Sequence, residues 1–517
     1  MDKSASLRVE RSVSLNPITF FLRFRSARIL TVEPVIFLYM FGSNLYFPLY
    51  QQYFFNQFAK NVIGNSSELP NSTYYCLTSN LTDEYGGKGT YVEVETLSSH
   101  LNIYVSLCNQ IPSIIFTLLY GPLSDRFGRR LVIVIVSLSA ITQGMLSLGI
   151  VHWNLSVYLF MLSGAVAGVG GDFSSVLMAS FAYISDVSSS KWLTFRMGVV
   201  EAMMYMAGAV ALGAGGLWFK MLNCNFIPPI MVFIACHVLI IAYVVLFLPK
   251  SLPRKERERR ALDRSTCFDS LIRGSKIYFC QIKQYTVWVL WAALIAFFFM
   301  ELTSERIAVY FLKAKKPFDW DSSTIGYYQM TVQLSHMFGL LIVLPVLVAL
   351  KLPDALISII GLGFNAGMNI FTGLANKTFE MFIIGVIQGA EAIVFPPLRS
   401  IQSKAVDKTD QGALFSVVTA VENGASLVSA LIFPIVIPLA LQHGLSPGVV
   451  YLLMASLCIL PLILLLFLLF CGGRRRSRTK VQDTSTRGIP DPPPFSTNNP
   501  DIISSSETSP LISSKDK

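Results

Sequence analysis

The chain has 517 residues, of which 53% are hydrophobic and 14% are charged, and its formal net charge is +10. Soluble proteins usually carry about 25% charged residues, so this composition excludes an ordinary soluble domain. About twelve apolar stretches are long enough for membrane-spanning helices, which need roughly 20 residues each. Their apolar residues are continuous rather than alternating, which argues against a membrane β-barrel. We therefore expect an all-α membrane protein.

The N-terminal segment, residues 1–30, is basic and lacks the apolar core and cleavage site of a signal peptide, so we expect it in the cytosol. A predicted N-terminal half, residues 31–248, follows with six spans. These spans lie near residues 31–55, 101–122, 131–151, 157–182, 192–218 and 228–248.

The segment between the first two spans, residues 56–100, is poor in Lys and Arg and is expected outside the cytosol. Cys76 in this loop and Cys224 in another predicted external loop are a candidate disulfide in an oxidising lumen. Two unpaired thiols are the alternative. The first loop also contains three acceptors for N-glycosylation, at Asn65, Asn71 and Asn80.

The segment between the second and third spans, residues 121–130, reads Gly-Pro-Leu-Ser-Asp-Arg-Phe-Gly-Arg-Arg. It resembles the cytoplasmic loop between helices 2 and 3 of the major facilitator superfamily; a generic basic turn is the alternative. Glycines let two helix ends approach closely, and a carboxylate here can pair with an arginine or cap a helix. Such contacts would hold the cytosolic side in one state. The predicted gating residues are Gly121, Asp125, Arg126, Gly128, Arg129 and Arg130.

A basic linker, residues 249–284, precedes a predicted C-terminal half, residues 285–471. Its six spans lie near residues 285–310, 325–350, 354–374, 379–400, 412–440 and 447–471. The loop near Lys351 and Asp354 is a degenerate counterpart of the 121–130 motif. Positive segments stay in the cytosol, so the net charge reflects orientation and attraction to the cytosolic leaflet rather than nucleic-acid binding.

The tail, residues 472–517, is rich in Ser, Thr and Pro and is expected to be disordered and cytosolic. It contains an acidic residue four positions before a Leu-Ile pair, a pattern that sorting adaptors read on cargo bound for endosomes and lysosomes. These residues are Glu507, Leu511 and Ile512. A lysosomal or endosomal membrane is therefore favoured, with the plasma membrane as the alternative.

Ionisable residues inside the predicted spans are the sharpest functional clue, because each is unfavourable in hydrocarbon. Buried carboxyl groups can take up and release protons near neutral pH, as proton coupling requires. The predicted proton-coupling residues are Glu201, Asp172, Glu301 and Glu305. An arginine can hold an anionic substrate through two parallel hydrogen bonds. The predicted substrate-binding residues are Arg399, Glu422 and Tyr328.

Several of these residues also have purely structural interpretations. Asp172 follows a Gly-rich segment and could bond a neighbouring backbone, and Glu201 could form a helix-end ion pair with Arg196. Arg399 could be a topology anchor with Glu391 as its partner. Two further intramembrane residues are interpreted as packed polar groups rather than proton carriers: His237 and His336.

Further segments show a narrower resemblance, to solute carrier family 46, the family of the proton-coupled folate transporter. They are Val-Glu-Pro at 32–34, the motif at 124–130, Thr-Phe-Arg-Met at 194–197 with Glu201, and Arg399 followed by Gln-Gly-Ala-Leu-Phe-Ser at 411–416. The resemblance implies a major facilitator fold of twelve helices and proton symport of folate-like or other amphipathic organic anions. It also implies that Glu201 takes part in proton coupling and that Asp172, Asp125, Arg130 and Arg399 are needed for transport.

Two departures from the folate transporter indicate a paralogue. Its helix 7 histidine, linked to proton coupling, corresponds to Met300 or a neighbour here, so Glu301 or Glu305 would have to substitute. Its second disulfide cysteine has no counterpart, since residues 311–324 contain no cysteine.

We therefore expect a proton-driven symporter that moves an organic anion from an acidic compartment to the cytosol by alternating access. Its expected partners are that anion, protons, the lipid bilayer and sorting adaptors. Lysosomal export of steroid conjugates, bile-acid-like anions or other degradation products is one alternative, and a proton-independent facilitator or exchanger is another. A receptor on a transporter fold is a third. No nucleophile–base set, phosphate loop or metal-ligand spacing is present, so we expect neither enzyme activity nor a metal or other cofactor.

Overall fold

The computed structural model describes residues 31–63, 90–222, 225–251, 278, 284–303, 318, 320, 322–443, 445–446 and 448–470. Within these residues the regular structure is helical throughout. The predicted glycosylation sites, the candidate disulfide, Glu305 and the tail signal lie outside the described residues: Asn65, Asn71, Asn80, Cys76, Cys224, Glu305, Glu507, Leu511 and Ile512.

Twelve helical segments follow one another in the described part of the chain. The first six are α1 (Glu33–Ile63), α2 (Thr90–Phe127), α3 (Arg129–His152), α4 (Val157–Val187), α5 (Leu193–Met221) and α6 (Ile227–Leu246). The second six are α7 (Gln284–Leu302), α8 (Ser322–Phe338 with Gly339–Val343 and Leu344–Ala349), α9 (Asp354–Leu374), α10 (Thr378–Ala405), α11 (Gln411–Gln442) and α12 (Val449–Phe470).

Ten of these helices are long and apolar enough to cross a membrane, and the predicted all-α class is confirmed. The apolar part of α7, Val287–Leu302, is shorter. α1 is long, but polar residues such as Asn44, Gln51 and Asn56 lower its hydropathy. Several helices extend beyond the predicted spans, because backbone hydrogen bonding continues after the apolar pattern stops. α2, for example, runs to Phe127, and Gly128 alone separates it from α3.

α4, α8 and α10 each contain a stretch that departs from regular α geometry. In α4, Gly171 at φ 84° and Asp172 at φ 39° interrupt the helix, and the Ser113 and Thr117 hydroxyls of α2 donate to the Gly171 carbonyl oxygen. α8 contains a π-helical turn at Gly339–Val343, and α10 a 3₁₀ stretch at Gln388–Val394. Such breaks within spanning helices recur near transporter binding sites.

The two sets of six helices meet along a few helix pairs: α2 and α4 pack against α11, and α5 packs against α8 and α10. We use "motif end" for the end of the bundle that carries residues 121–130. Hydrogen bonds between the halves cluster there. Thr194 of α5, for instance, donates to the Ser400 hydroxyl of α10, and Ser185 of α4 donates to the side-chain carbonyl of Gln411 at 2.9 Å. The two halves are therefore joined at the motif end.

Large apolar side chains remain exposed on the outer helices, as on Val245 of α6, Phe371 of α9 and Ile463 of α12. Within hydrocarbon, exposed apolar groups and internally bonded helices are the stable arrangement. These surfaces face lipid, and the polar chemistry is confined to the bundle interior.

Candidate functional site

A buried ion triad lies at the boundary between the two halves. The guanidinium of Arg399, on α10, donates from Nη1 to the Glu201 carboxylate of α5. Its Nη2 donates to Glu422 Oε1 of α11 at 2.7 Å. Glu201 belongs to the first half and the other two residues to the second, so the triad bridges the halves. The structure thus brings together Glu201, predicted for proton coupling, and Arg399 and Glu422, predicted for substrate binding.

Three aromatic rings enclose the same guanidinium. Its Cζ lies 4.2 Å from the ring centre of Phe181, 5.0 Å from that of Phe297 and 5.8 Å from that of Phe395. Rings at these distances attract a cation through their quadrupoles. They also exclude water, which strengthens the ion pairs. The sequence analysis missed these phenylalanines, because nothing distinguishes them from other apolar residues of the spans.

The triad carries an excess of negative charge and has unfilled hydrogen-bonding positions. One cation faces two carboxylates, so the net charge is minus one when both are ionised. Oε2 of Glu201, Oε2 of Glu422 and Nε of Arg399 have no hydrogen-bond partner among the described residues. Glu301 of α7 also interacts electrostatically with Arg399. A proton or an additional polar ligand would therefore be stabilised here.

The burial of Arg399 favours a role inside the bundle over a role as topology anchor. Its side chain is 2% exposed, whereas a topology anchor would reach the membrane surface. The two ion pairs expected as structural alternatives, Glu201 with Arg196 and Arg399 with Glu391, are not those that the structure contains. Arg196 pairs with Glu33 at 3.6 Å rather than with Glu201, and Glu391 faces a histidine of α8 rather than Arg399.

The 121–130 motif forms the contact between α2 and α11. The Asp125 carboxylate accepts the backbone N–H groups of Gly412 and Ala413, each at 2.9 Å, and so caps the start of α11. It also pairs with Arg129 at 2.6 Å. The sequence left capping and arginine pairing as alternatives, and the structure contains both. A carboxylate at a helix N-terminus is stabilised by the helix dipole.

The remaining motif residues support this contact. Arg129 is 1% exposed and also pairs with Asp186 of α4 at 3.1 Å, a partner that the sequence analysis did not identify. Gly128 has φ 100°, which suits glycine and allows the one-residue turn. A side chain at Gly121 would overlap Ser416 of α11. The other two motif arginines are half-buried: Arg126 and Arg130.

The second half contributes a comparable contact at the motif end. Asp354, at the start of α9, accepts from the Thr194 hydroxyl of α5 at 2.9 Å and pairs with Lys404 of α10 at 2.6 Å. The degenerate counterpart of the motif thus also joins the two halves.

Asp172 lies in a separate cluster within the first half. It accepts a hydrogen bond from the Tyr39 hydroxyl of α1, and the Tyr39 ring lies edge-on to His237 of α6, with 5.2 Å between ring centres. Asp172 has a positive φ, which non-glycine residues adopt rarely and which often marks a functional position. The predicted role of Asp172 in proton coupling stays a prediction.

Tyr328 is not brought to the ion triad. It packs in the half of α8 remote from the motif end, where its ring lies 5.5 Å from that of Trp320 and 5.9 Å from that of Phe382. Its predicted contact with substrate stays a prediction.

Comparison with known proteins agrees with this architecture. The Major Facilitator Superfamily model matches residues 32–352. The proton-coupled folate transporter of Bos taurus is 30% identical over 84% of this chain and 91% of its own length. The lysosomal proton-coupled steroid conjugate and bile acid symporter of Gallus gallus is 24% identical over 86% and 94%. The crystal structure of the human organic anion transporter MFSD10 superposes with a TM-score of 0.63 at 15% identity, covering 84% of this chain and 98% of that one. The chain belongs to the Major Facilitator Superfamily and, within it, to solute carrier family 46.

Proposed function

We propose that the protein is a proton-coupled symporter that moves amphipathic organic anions across a membrane by alternating access. The observation that carries this proposal is the buried Arg399, held between Glu201 of one half and Glu422 of the other. The relatives named above are proton-coupled transporters of folate or of steroid conjugates and bile acids. All of these cargoes are anions with a large apolar surface.

Charge balance indicates the order of binding. With both carboxylates ionised the triad is negative, and an entering anion is repelled. One proton neutralises the triad, so that the anion can take the place of a carboxylate on Arg399. The guanidinium then holds the carboxylate or sulfate group through two parallel hydrogen bonds.

The Glu201–Arg399 pair also couples protonation to conformation. A proton on Glu201 weakens an ionic contact between the halves close to the motif end, which favours opening on that side. If the carrier opened with a proton but without an anion, a buried N–H of the Arg399 guanidinium would lose its hydrogen-bond partner, at a cost of about 1–3 kcal/mol. A bound anion satisfies that group, so the loaded carrier opens in preference to the empty one.

The direction of transport follows from the basic segments. They favour a cytosolic motif end, and we infer that the motif contacts close the cytosolic side. The proton then enters from the opposite, acidic side and leaves on the cytosolic side. The lysosomal relative and the dileucine pattern favour export from lysosomes, with uptake across the plasma membrane as the second candidate.

The proposal is tested by uptake into proteoliposomes with and without an inward proton gradient, using folates, steroid sulfates, bile acids and small peptides. We expect accumulation of at least one anion when the entry side is acidic, and its loss when a protonophore collapses the gradient. Equal uptake at all pH values would indicate a facilitator or exchanger instead.

A further inference from the structure

A second buried pair of titratable side chains lies between α8 and α10. Nε2 of His336 lies 3.9 Å from Oε1 of Glu391, and the two side chains are 7% and 12% exposed. This separation is longer than a hydrogen bond. Nε2 has no hydrogen-bond partner among the described residues. The imidazole is therefore placed to gain a bond to the carboxylate when it becomes protonated.

The helices that carry this pair are both irregular at that level. α8 changes to π geometry directly after Phe338, and Glu391 lies inside the 3₁₀ stretch of α10. The backbones touch here, since a side chain at Gly339 would overlap the Gly389 carbonyl group. A π turn and a 3₁₀ turn can convert to α geometry with small rearrangements, so this crossing can change when charge is added.

Tyr205 of α5, in the other half of the protein, contacts the pair. The Tyr205 ring of α5 lies 4.8 Å from that of His336. Tyr205 follows Glu201 by one turn on the same helix face, roughly 6 Å along the axis. Both His336 and Glu391 are near the middle of their helices, whereas Arg399 is closer to the motif end. The pair thus lies on the side of the triad from which the proposed proton arrives.

The charged and titratable surroundings of His336 are few. Among the described residues, Glu391 faces it from α10 and Tyr205 from α5, and no other ion pair involves its ring. On its own helix, all residues within one turn of His336 are uncharged. The polar ones among them are Gln333 and Ser335. The Cys458 thiol of α12 also interacts electrostatically with Glu391.

We propose that His336 and Glu391 form a second proton-binding site, which lies on the entry side of Glu201 and is connected to it through Tyr205. This inference rests on the proposed proton-coupled transport. A proton on His336 creates an ion pair that draws α8 and α10 together at their crossing. α7 contains no histidine, and His336 of α8 provides one for proton binding instead.

The test compares wild type with His336→Gln, Glu391→Gln and the double variant in proteoliposomes loaded with an anion that wild type accumulates. We expect the His336→Gln variant to lose most of the acid-driven accumulation while keeping exchange at a fixed pH. In the Glu391→Gln variant the carboxylate no longer favours the protonated imidazole, so the pH midpoint of uptake should fall by about one unit. The double variant should match His336→Gln, because the two residues act together. The matched control is His443→Gln, at an exposed turn after α11.

A substrate-free measurement separates this site from the proposed function. Infrared spectra of the purified protein, titrated between about pH 3 and 8, should contain an imidazole protonation that is absent in His336→Gln. If wild type accumulates an anion with the gradient but all variants keep its pH profile, the second site is refuted and the proposed function stands. If wild type shows no gradient-driven uptake, the function fails, and the infrared titration alone decides whether His336 binds a proton.

Discussion

Replacing Arg399 with lysine tests the triad by a change that keeps the positive charge. The guanidinium reaches Glu201 and Glu422 with two different nitrogens while its plane lies over Phe181. An ammonium is a single point donor without a planar face, so it cannot keep both bonds and the ring contact. We expect at least one charge-assisted hydrogen bond to be lost.

The loss of one such bond is worth about 1.5–3 kcal/mol, or roughly 10- to 150-fold in affinity. If the anion binds to Arg399, the half-saturation concentration for uptake should rise by about this factor. If the residue mainly joins the two halves, the maximal rate should change at constant half-saturation. Initial uptake rates over a range of substrate concentrations, normalised to folded protein, distinguish these outcomes.

The control is Lys404→Arg on the same helix, where a partly exposed side chain pairs with Asp354 and either cation can serve. We expect wild-type kinetics for that variant. Wild-type kinetics for Arg399→Lys as well would refute the role of the triad, because a topology anchor needs only a positive charge.

Three further outcomes are expected. Glu201→Gln should abolish gradient-driven accumulation while largely sparing exchange, since the amide cannot cycle a proton; equal loss of both activities at normal abundance would contradict this. Asp125→Asn should weaken the cap of α11 and the pair with Arg129 by about 1–2 kcal/mol in total, and raise the labelling of a cysteine introduced at the motif end; unchanged labelling would contradict a gating role. Alanine at Glu507, Leu511 and Ile512 of the tail should move the protein to the cell surface, as measured by surface biotinylation. Unchanged lysosomal staining would refute the sorting role.

The fold and the chemistry of the motif could be predicted from the sequence because both depend on local patterns. Apolar length predicts spanning helices, and the residue types at 121–130 predict a close, charged turn. Helix ends were predicted less well. α2 continues to Phe127 because Gly128 completes the turn alone, a conformation that the apolar pattern does not encode.

The composition of the triad could be predicted, but its geometry could not. Glu201 and Arg399 are nearly two hundred positions apart, so no spacing rule joins them. The alternative pairing of Arg399 with Glu391 is wrong for a local reason. Glu391 lies in a 3₁₀ stretch, where each residue advances about 120° rather than 100° around the helix axis. This rotation turns Glu391 toward α8 and His336.

The same rotation explains why two acidic residues of neighbouring helices have different partners. Glu422 lies on the regular α11 and reaches Arg399 directly, whereas Glu391 is carried by the irregular part of α10 to the α8 interface. A fully α-helical α10 would present a different face at Glu391, so the 3₁₀ geometry keeps this carboxylate apart from the triad. Because like charges close together oppose ionisation, this separation favours an ionised Glu391 as the partner of His336 in the proposed second site. The helix irregularities of the second half thus provide the separation between the triad and the proposed second proton site.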